Sequence, residues 1–335
     1  MKPYLVDVPV KTNIWIRPEC QKRQFDVIKK ARPSILFIVS DGGRNEKEWK
    51  AINENRKLFD EGIDWNCKVY KLYMDKNVGM YTAANEYRKF IWSKVDRCIF
   101  MEDDQIPSIS FFRFCADLLE KYKDDQRIEC ICGMNHLGQS PEVKADYFFS
   151  RQGSIWGYAT WKRVFEVRNF QYTSDPYIMK LLKQRTRHNP IAWKRLNAYG
   201  IQEKYEGHVP GQEFWIEFNM YSQNRLQIIP KVNLISNVGA TEDAAHARKL
   251  NELPKWLQKV YYMPIYEMKF PIKYADYVIP DVEYEEKRNK IMHYNTYIWK
   301  DRLVQLKIKL LQGDYKYFLS KIKTGFKKAE IKDET

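Results

Sequence analysis

The chain has 335 residues, of which 44% are hydrophobic and 30% charged, and its formal net charge at pH 7 is +14. This length suits one large domain or two closely joined ones. No stretch approaches the roughly 18 consecutive apolar residues that a membrane-spanning helix needs, and residues 1–13 lack the apolar core of a signal peptide. We therefore expect a soluble, cytoplasmic protein.

Strands and helices alternate through the first 150 residues. The predicted strands, in chain order, are Val10–Arg17, Ser34–Ser40, Cys67–Tyr73, Cys98–Met101 and Arg127–Gly133. The predicted helices are Pro18–Ala31, Asn45–Asp60, one that begins near Met80, and one after Pro107 that Ser108 or Ser110 caps. Alternation of this kind predicts an α/β fold, with a mostly parallel sheet flanked by helices.

Two of these helices have apolar side chains at helical spacing, which predicts the faces that pack on the sheet. In the third helix they are Met80, Ala83, Ala84, Tyr87, Phe90 and Ile91. In the fourth helix they are Phe111, Phe112, Phe114, Cys115, Leu118 and Leu119. Beyond residue 150 the alternation lapses, and residues 176–199 read as a basic helical stretch.

The six cysteines show neither CxxC spacing nor the density of a disulfide framework. Four of them lie inside apolar runs, which favours reduced thiols in the core.

The apolar strand of residues 98–101 ends in three consecutive carboxylates, Glu102, Asp103 and Asp104. Ligands of open α/β sheets bind outside the carboxyl ends of such strands. Three adjacent acids repel one another unless a cation occupies the site. Strand alternation predicts that Glu102 and Asp104 lie on one side and Asp103 on the other. The run therefore predicts a divalent metal that carboxylate oxygens hold and that a phosphate-bearing ligand shares.

A buried strand ending in EDD, followed by a proline and an aromatic helix, resembles the metal-binding region of GT-A glycosyltransferases. The likeness is closest to the N-acetylglucosaminyltransferase I type and to bacterial family-2-like sugar transferases. Five further segments resemble that family in the same order, and they are WIRPE (15–19), IVSDGG (38–43), NVG (77–79), GSIWGYATW (153–161) and EFWIEF (213–218).

The resemblance implies a Rossmann-like GT-A fold and an inverting, metal-dependent glycosyltransferase. Such an enzyme would move a sugar from a nucleotide sugar, with UDP as the expected nucleotide, to a glycan or lipid-linked acceptor in polysaccharide biosynthesis. The implied donor-binding residues are Arg17, Asp41, Asn77, Gly79, Glu102 and Asp103. Asp104 and His246 are the implied ligands of Mn²⁺ or Mg²⁺. The acid pair here is Glu-x-Asp, where the family pattern has Asp-x-Asp.

On the acceptor side, the resemblance implies contacts from Trp156, Gly157 and Glu213. It assigns the catalytic base to Glu217, with Glu213 as the other candidate. A carboxylate base contributes roughly 10²–10⁴-fold to the rate of such a transfer.

The likeness covers roughly residues 10–250. We therefore predict a GT-A domain over 1–250, with a nucleotide-binding half (1–133) and an acceptor-side half (134–250). A connecting segment (251–298) and basic amphipathic helices (299–335) follow.

The basic residues of the C-terminal helices predict a membrane contact. Residues 300–328 contain nine Lys or Arg and two Asp, with regularly spaced leucines and aromatics. This pattern predicts peripheral binding to the anionic cytoplasmic face of a membrane, close to a lipid-linked acceptor.

Three alternatives remain open. A sugar-phosphate nucleotidyltransferase also uses carboxylates and Mg²⁺, but it usually has a glycine-rich phosphate loop, and residues 10–20 contain no glycine. A basic nucleic-acid-binding protein would interleave aromatic and basic residues on a recognisable module. Here the excess charge lies in the tail, so no nucleic-acid partner is expected. The third alternative is a degenerate transferase fold that serves only as a binding module. Loss of metal-dependent nucleotide binding would identify that case.

Overall fold

The computed structural model describes residues 1–166, 170–187, 189, 192–197, 211–240 and 250–292. The predicted metal ligand His246 and the predicted C-terminal helices of residues 299–335 lie outside these residues.

An eight-stranded sheet forms the centre of the molecule. Its strands are β1 (Val6–Ile14), β2 (Pro33–Ser40), β3 (Lys68–Tyr73), β4 (Arg97–Met101), β6 (Ile128–Cys132), β7 (Tyr147–Ser150), β8 (Tyr158–Trp161) and β9 (Leu226–Pro230). Their spatial order is β3-β2-β1-β4-β8-β6-β9-β7. Two short strands, β5 (Gln105–Pro107) and β10 (Ile235–Asn237), pair antiparallel beside this sheet.

Helices flank the sheet. They are α1 (Pro18–Ala31), α2 (Glu46–Gly62), α3 (Met80–Trp92), α4 (Ser110–Lys121), α5 (Lys162–Phe165), α6 (Pro176–Arg185), α7 (Gln212–Ser222), α8 (Lys255–Gln258) and α9 (Val282–Ile291). Residues 192–197 are also helical. None of the helices that the structure describes has the length and apolar character needed to cross a lipid bilayer.

The α/β class with a mostly parallel sheet is confirmed. Strands β1 to β4 are mutually parallel and lie in the order 3-2-1-4, which is the order of a Rossmann-like sheet. Only β7 and β8 run against the other strands of the sheet in the described part of the chain. The carboxyl ends of β1, β2 and β4 therefore meet at one edge.

Most predicted element boundaries lie within two residues of the observed ones, and two differ by more. Strand β1 runs from Val6 to Ile14, because Trp15–Arg17 form the connection to α1. Within the basic helical stretch predicted over residues 176–199, the structure describes a first helix that ends at Arg185 and a helical segment over residues 192–197. At the end of the first helix, the Thr186 hydroxyl donates to the Leu182 carbonyl oxygen at 2.8 Å, which closes the last turn.

The apolar faces predicted for α4 and α3 are buried to different extents. All six apolar positions predicted for α4 are fully buried, and they pack on the sheet face that carries Ile99 and Met101. In α3 the side chain of Met80 is 51% exposed. Met80 is the first residue of that helix, and the packed face begins one turn later at Ala83.

Neither serine caps α4, so that expectation was wrong. The carboxylate of Glu267 accepts hydrogen bonds from the backbone N–H groups of Ile109 and Ser110 at 2.9 and 2.8 Å. The Ser110 hydroxyl accepts from the Met268 N–H instead. A distant carboxylate thus satisfies the helix N-terminus, and it ties residues 250–292 to the sheet domain.

All six cysteines are free, and the four within apolar runs are fully buried, as predicted. Burial raises the pKa of the Cys115 and Cys98 thiols, so they stay protonated at neutral pH.

A buried ion pair joins β6 to the segment that precedes β9. Arg225 Nη1 lies 3.1 Å from Glu129 Oε2, and the two side chains are 3% and 0% exposed. Asn219 of α7 donates to the other Glu129 oxygen at 3.0 Å. Both partners stabilise the buried carboxylate.

We expect Arg225→Met to lower the free energy of unfolding by about 3–5 kcal/mol, because it removes the arginine that is paired with the buried Glu129 carboxylate. The matched control is Arg127→Met, which removes an arginine that is 62% exposed and should cost less than about 1 kcal/mol. Urea unfolding measures both. Equal losses in the two variants would contradict the role given to the buried pair.

Candidate active site

The three acids follow β4, which ends at Met101. The backbone N–H of Glu102 donates to Gln105 Oε1 at 3.0 Å, so the chain turns at this point. Past Met101 the expected alternation is therefore wrong, because the carboxylates of Asp103 and Asp104 both face Arg17. We call Glu102, Asp103 and Asp104 the acid cluster.

Arg17 lies in the connection between β1 and α1 and bridges two of the acids. Its Nε and Nη2 atoms donate to the two oxygens of Asp103 at 2.8 and 3.1 Å, and Nη1 donates to Asp104 Oδ2 at 3.0 Å. The three side chains are 8–14% exposed. Burial lowers the pKa of Arg17, but the two carboxylates outweigh burial and raise it. Burial also raises the pKa of Asp103, while Arg17 opposes this shift.

Glu102 lies beside a buried lysine. Lys11 of β1 donates from Nζ to the Met101 carbonyl oxygen at 3.4 Å. Burial lowers the pKa of Lys11 to about 8, and Glu102 partly offsets this effect. Although part of the Glu102 side chain reaches solvent, dense surrounding protein raises its pKa, with a further contribution from Asp104. With all five groups ionised, the acid cluster, Arg17 and Lys11 together carry one net negative charge.

Two buried glutamines fix the turn after β4. Gln24 of α1 donates from Nε2 to the carbonyl oxygens of Glu102 and Gln105 at 2.5 and 2.7 Å. The Thr12 hydroxyl donates to the other amide atom of Gln24. Gln105 Oε1 accepts from the N–H groups of Glu102 and Gly157. Sequence reasoning missed both residues, and the signal for Gln24 was an uncharged polar residue on the apolar face of α1.

Asp41, Asn77 and Gly79 come together at the same edge of the sheet. Asp41 Oδ1 accepts from the N–H groups of Gly42 and Val78 at 2.8 and 3.0 Å. Asp41 Oδ2 accepts from the Gly79 N–H at 3.1 Å and from Asn77 Nδ2 at 3.2 Å. This carboxylate therefore fixes the start of α3. Gly79 has φ of +85°, which glycine adopts without strain.

Gly157 and Trp156 lie near the acid cluster. Gly157 has φ of +59°, and a Cβ there would lie 2.5 Å from Ile235 Cδ1. The Trp156 ring lies 4.9 Å from the Tyr261 ring, centroid to centroid. Burial raises the pKa of Tyr261, and the charge of Asp104 raises it further. The two aromatic rings therefore contact each other, and Tyr261 is within electrostatic range of Asp104.

The two predicted base candidates have different surroundings, although both lie on α7. Glu213 is in the first turn and exposed, and its negative charge contributes to the raised pKa of Glu102. Glu217 is one turn further along, where its Oε2 lies 3.2 Å from Arg195 Nη1. Burial raises the pKa of Glu217, while Arg195 opposes this shift. Glu213 is thus exposed at the start of α7, and Glu217 is paired with an arginine.

The segment after β10 packs directly on Asp104. The Val238 N–H donates to the Asp104 carbonyl oxygen at 2.9 Å, and Asn237 Nδ2 lies 3.5 Å from Asp104 Oδ1. A Cβ on Gly239 would lie 2.0 Å from Asp104 Oδ2 and 2.6 Å from Arg17 Nη1. Only a glycine fits against this ion pair without displacing it.

The side chains around Asp104 suit a cation that takes most of its ligands from a bound molecule and from water. Within the described residues, no three His, Cys, Asp or Glu side chains are arranged as a metal-binding group. Asp104 Oδ1 has one long hydrogen bond and remains available. Mg²⁺ commonly binds through one or two carboxylates and completes its shell with phosphate and water. The site therefore fits a divalent cation that a phosphate-bearing ligand shares.

No protein-family model matches the chain, and no curated protein matches it. Among solved structures, the inositol-1-phosphate CTP transferase from T. maritima is 9% identical, with a TM-score of 0.37, over 76% of this chain and 94% of that one. The glycosyltransferase GlyE of Streptococcus pneumoniae TIGR4 is 10% identical, with a TM-score of 0.32, over 67% of this chain and 45% of that one. HddC from Yersinia pseudotuberculosis is 12% identical, with a TM-score of 0.31, over 49% of this chain and 80% of that one. The chain thus spans less than half the length of GlyE, and likenesses this low carry no argument about its activity.

We expect Gly239→Ala to separate Arg17 from Asp104, because the added methyl group would overlap Asp104 Oδ2. Overpacking of this kind costs about 1–3 kcal/mol of stability. A crystal structure of the variant should show a distance between Arg17 Nη1 and Asp104 Oδ2 clearly longer than the native 3.0 Å. An unchanged distance together with native stability would show that the loop yields and that the glycine is dispensable.

Proposed function

We propose that the protein is an inverting, metal-dependent glycosyltransferase that uses a nucleotide sugar, with a UDP-sugar as the first candidate, and a glycan or lipid-linked acceptor. One observation carries the proposal. The acid cluster stands at the carboxyl end of β4, with Arg17 bound to two of its members. We propose that the donor binds at this cluster and that the proton acceptor lies on α7.

On the donor side, the proposed residues lie along the sheet edge formed by β1, β2 and β4. Asp104 would hold Mn²⁺ or Mg²⁺, with His246 as the further proposed ligand. When bound, such a cation stabilises the negative charge of the departing diphosphate. The Arg17 guanidinium is a fork of N–H donors suited to phosphate oxygens. Asp103 is proposed to accept hydrogen bonds from ribose or donor-sugar hydroxyls, and Glu102 to bind the donor sugar.

The nucleoside is proposed to bind near the ends of β2 and β3. Asp41 holds this edge in place through four hydrogen bonds, from the N–H groups of Gly42, Val78 and Gly79 and from the side chain of Asn77. A Cβ added to Gly79 would meet no neighbouring atom within 4 Å. This leaves space for a ligand to approach the backbone.

On the acceptor side, we propose Glu213 as the base in place of Glu217. Glu213 would take the proton of the acceptor hydroxyl as the oxygen bonds to the anomeric carbon and the bond to the diphosphate breaks. The Glu217 carboxylate is paired with Arg195 at 3.2 Å, whereas Glu213 lies in the first turn of α7 and is exposed. Trp156, Gly157 and Tyr261 would bind the acceptor, since aromatic faces pack well against sugar rings.

The nucleotidyltransferase alternative differs in its product. The connection of residues 15–17 between β1 and α1 contains no glycine, whereas such enzymes usually bind a nucleoside triphosphate on a glycine-rich loop. A glycosyltransferase releases a nucleoside diphosphate from a nucleotide sugar, and a nucleotidyltransferase releases pyrophosphate from a nucleoside triphosphate and a sugar phosphate. Assaying both products decides between the two.

A membrane contact through residues 299–335 belongs to the proposal as well. Its support is the concentration of basic residues and regularly spaced leucines in that part of the sequence, which would hold the enzyme beside a lipid-linked acceptor.

We expect UDP, or the preferred one of UDP-, GDP-, dTDP- and CMP-sugars, to stabilise the protein only with Mn²⁺ present. A ligand at 100 times its Kd adds about 2.7 kcal/mol to the free energy of unfolding.

Asp104→Asn keeps the shape of the side chain but removes its charge, so calorimetry should show at least an approximately tenfold loss of Mn²⁺-dependent affinity. The exposed Asp124→Asn is the control. Unchanged affinity in Asp104→Asn would refute the metal assignment.

We expect Glu213→Gln to bind donor nearly normally and to lose at least about 10²-fold in the transfer rate, because the base is missing. Glu217→Gln, one turn away on the same helix, should lose much less. Donor binding by calorimetry and transfer by diphosphate release separate the two effects. The reverse ranking would return the base role to Glu217.

A further inference from the structure

Arg17 divides its guanidinium unequally between two acids. Nε and Nη2 form a bidentate pair with Asp103, whereas only Nη1 reaches Asp104. Bidentate pairs of this kind are strong and geometrically specific. The contact with Asp104 can therefore break while Asp103 still holds the arginine in place.

The contact that breaks lies at the proposed metal ligand. Asp104 Oδ2 accepts from Arg17, and the nearest amide donor, Asn237, lies 3.5 Å from Asp104 Oδ1. Two cations on one small carboxylate repel each other, so the guanidinium and a divalent cation cannot both be held at full strength. Behind the pair, Gly239 leaves no space for a side-chain atom, and its carbonyl oxygen lies 3.5 Å from Arg17 Nη1.

We propose that Arg17 is a built-in competitor of the divalent cation at Asp104, and that the donor diphosphate relieves this competition by accepting the Nη1 hydrogen bond. This inference rests on the proposed function, whose metal and donor sites it links. In the free protein, Arg17 offsets part of the negative charge of the acid cluster and keeps metal affinity low. Once a phosphate oxygen binds Nη1, Asp104 Oδ2 becomes available to the metal.

The competition has a thermodynamic consequence. A diphosphate that removes Arg17 from Asp104 raises the affinity for the metal, and the metal must then raise the affinity for the diphosphate by the same factor. The cation is thereby captured together with the donor and not in advance of it. Removal of Arg17 should break this coupling and, by removing a competing charge, strengthen the binding of metal alone.

Mn²⁺ titrations followed by electron paramagnetic resonance test this directly, because free Mn²⁺ has a signal that the bound ion loses. The full chain is compared with Arg17→Gln, with and without UDP. We expect Arg17→Gln to bind Mn²⁺ alone about fivefold or more tightly than the native protein, the low end of typical coupling between sites. We also expect the UDP-induced gain in Mn²⁺ affinity to shrink.

Arg23→Gln is the matched control, since Arg23 is exposed on α1, the helix that follows Arg17, and its loss changes the net charge equally. It should leave Mn²⁺ binding unchanged. Arg17→Lys keeps the charge but lacks the planar fork, so its Mn²⁺ affinity should fall between those of the native protein and Arg17→Gln. If Arg17→Gln fails to fold, Arg17→Lys alone decides, and an affinity equal to or below the native one overturns the proposal.

The outcomes separate the two levels of inference. If the native protein binds Mn²⁺ with UDP and Asp104→Asn does not, but folded Arg17→Gln binds Mn²⁺ no more tightly than the native protein, the competition is refuted and the proposed function stands. If the native protein does not bind Mn²⁺ even with UDP, the metal site of the proposed function fails, and this inference fails with it.

Discussion

The bridge from Arg17 to Asp103 and Asp104 is the interaction on which the arrangement of the site depends. Three acids in a row at the end of a buried strand are unfavourable unless cations neutralise them, because a partly buried charge without a partner costs several kcal/mol. Strand β1 lies between β2 and β4, so the residue that follows β1 is close to the residues that follow β4. Arg17 lies three residues after β1, directly before the first helix. Its positive charge thus stabilises the acids at the end of a strand that comes 80 residues later in the chain.

The sequence predicted the first half of the molecule well, because there each signal was local. The boundaries of α1 follow from Pro18 and the spacing of its apolar residues, and the buried face of α4 follows from its phenylalanines and leucines. The acid cluster was equally visible, since an apolar run that stops at three carboxylates is readable in a single stretch. Each of these inferences rests on residues within one or two helical turns of each other.

Contacts between distant segments could not be predicted from the sequence. Glu267 caps α4 from about 157 residues away, Gln24 fixes the turn after β4, and Lys11 lies beneath Glu102. None of these residues belongs to a local motif, and each acts only because the fold brings two segments together. The surroundings of Glu213 and Glu217 are a similar case, because Arg195 pairs with Glu217 and distinguishes two glutamates that the sequence presents as equivalents.

The carboxylate that caps α4 also determines how much of the chain is needed for a folded protein. Residues 250–292 contribute Val260, Ile272 and Tyr284 to the buried interior, and Glu267 is the partner of two N–H groups at the start of α4. A fragment that stops at residue 250 would retain the whole acid cluster, yet it would uncover apolar surface and leave the first turn of α4 without its acceptor. The smallest fragment that folds on its own therefore extends through α9, and expression trials should place their C-terminal boundary after residue 292.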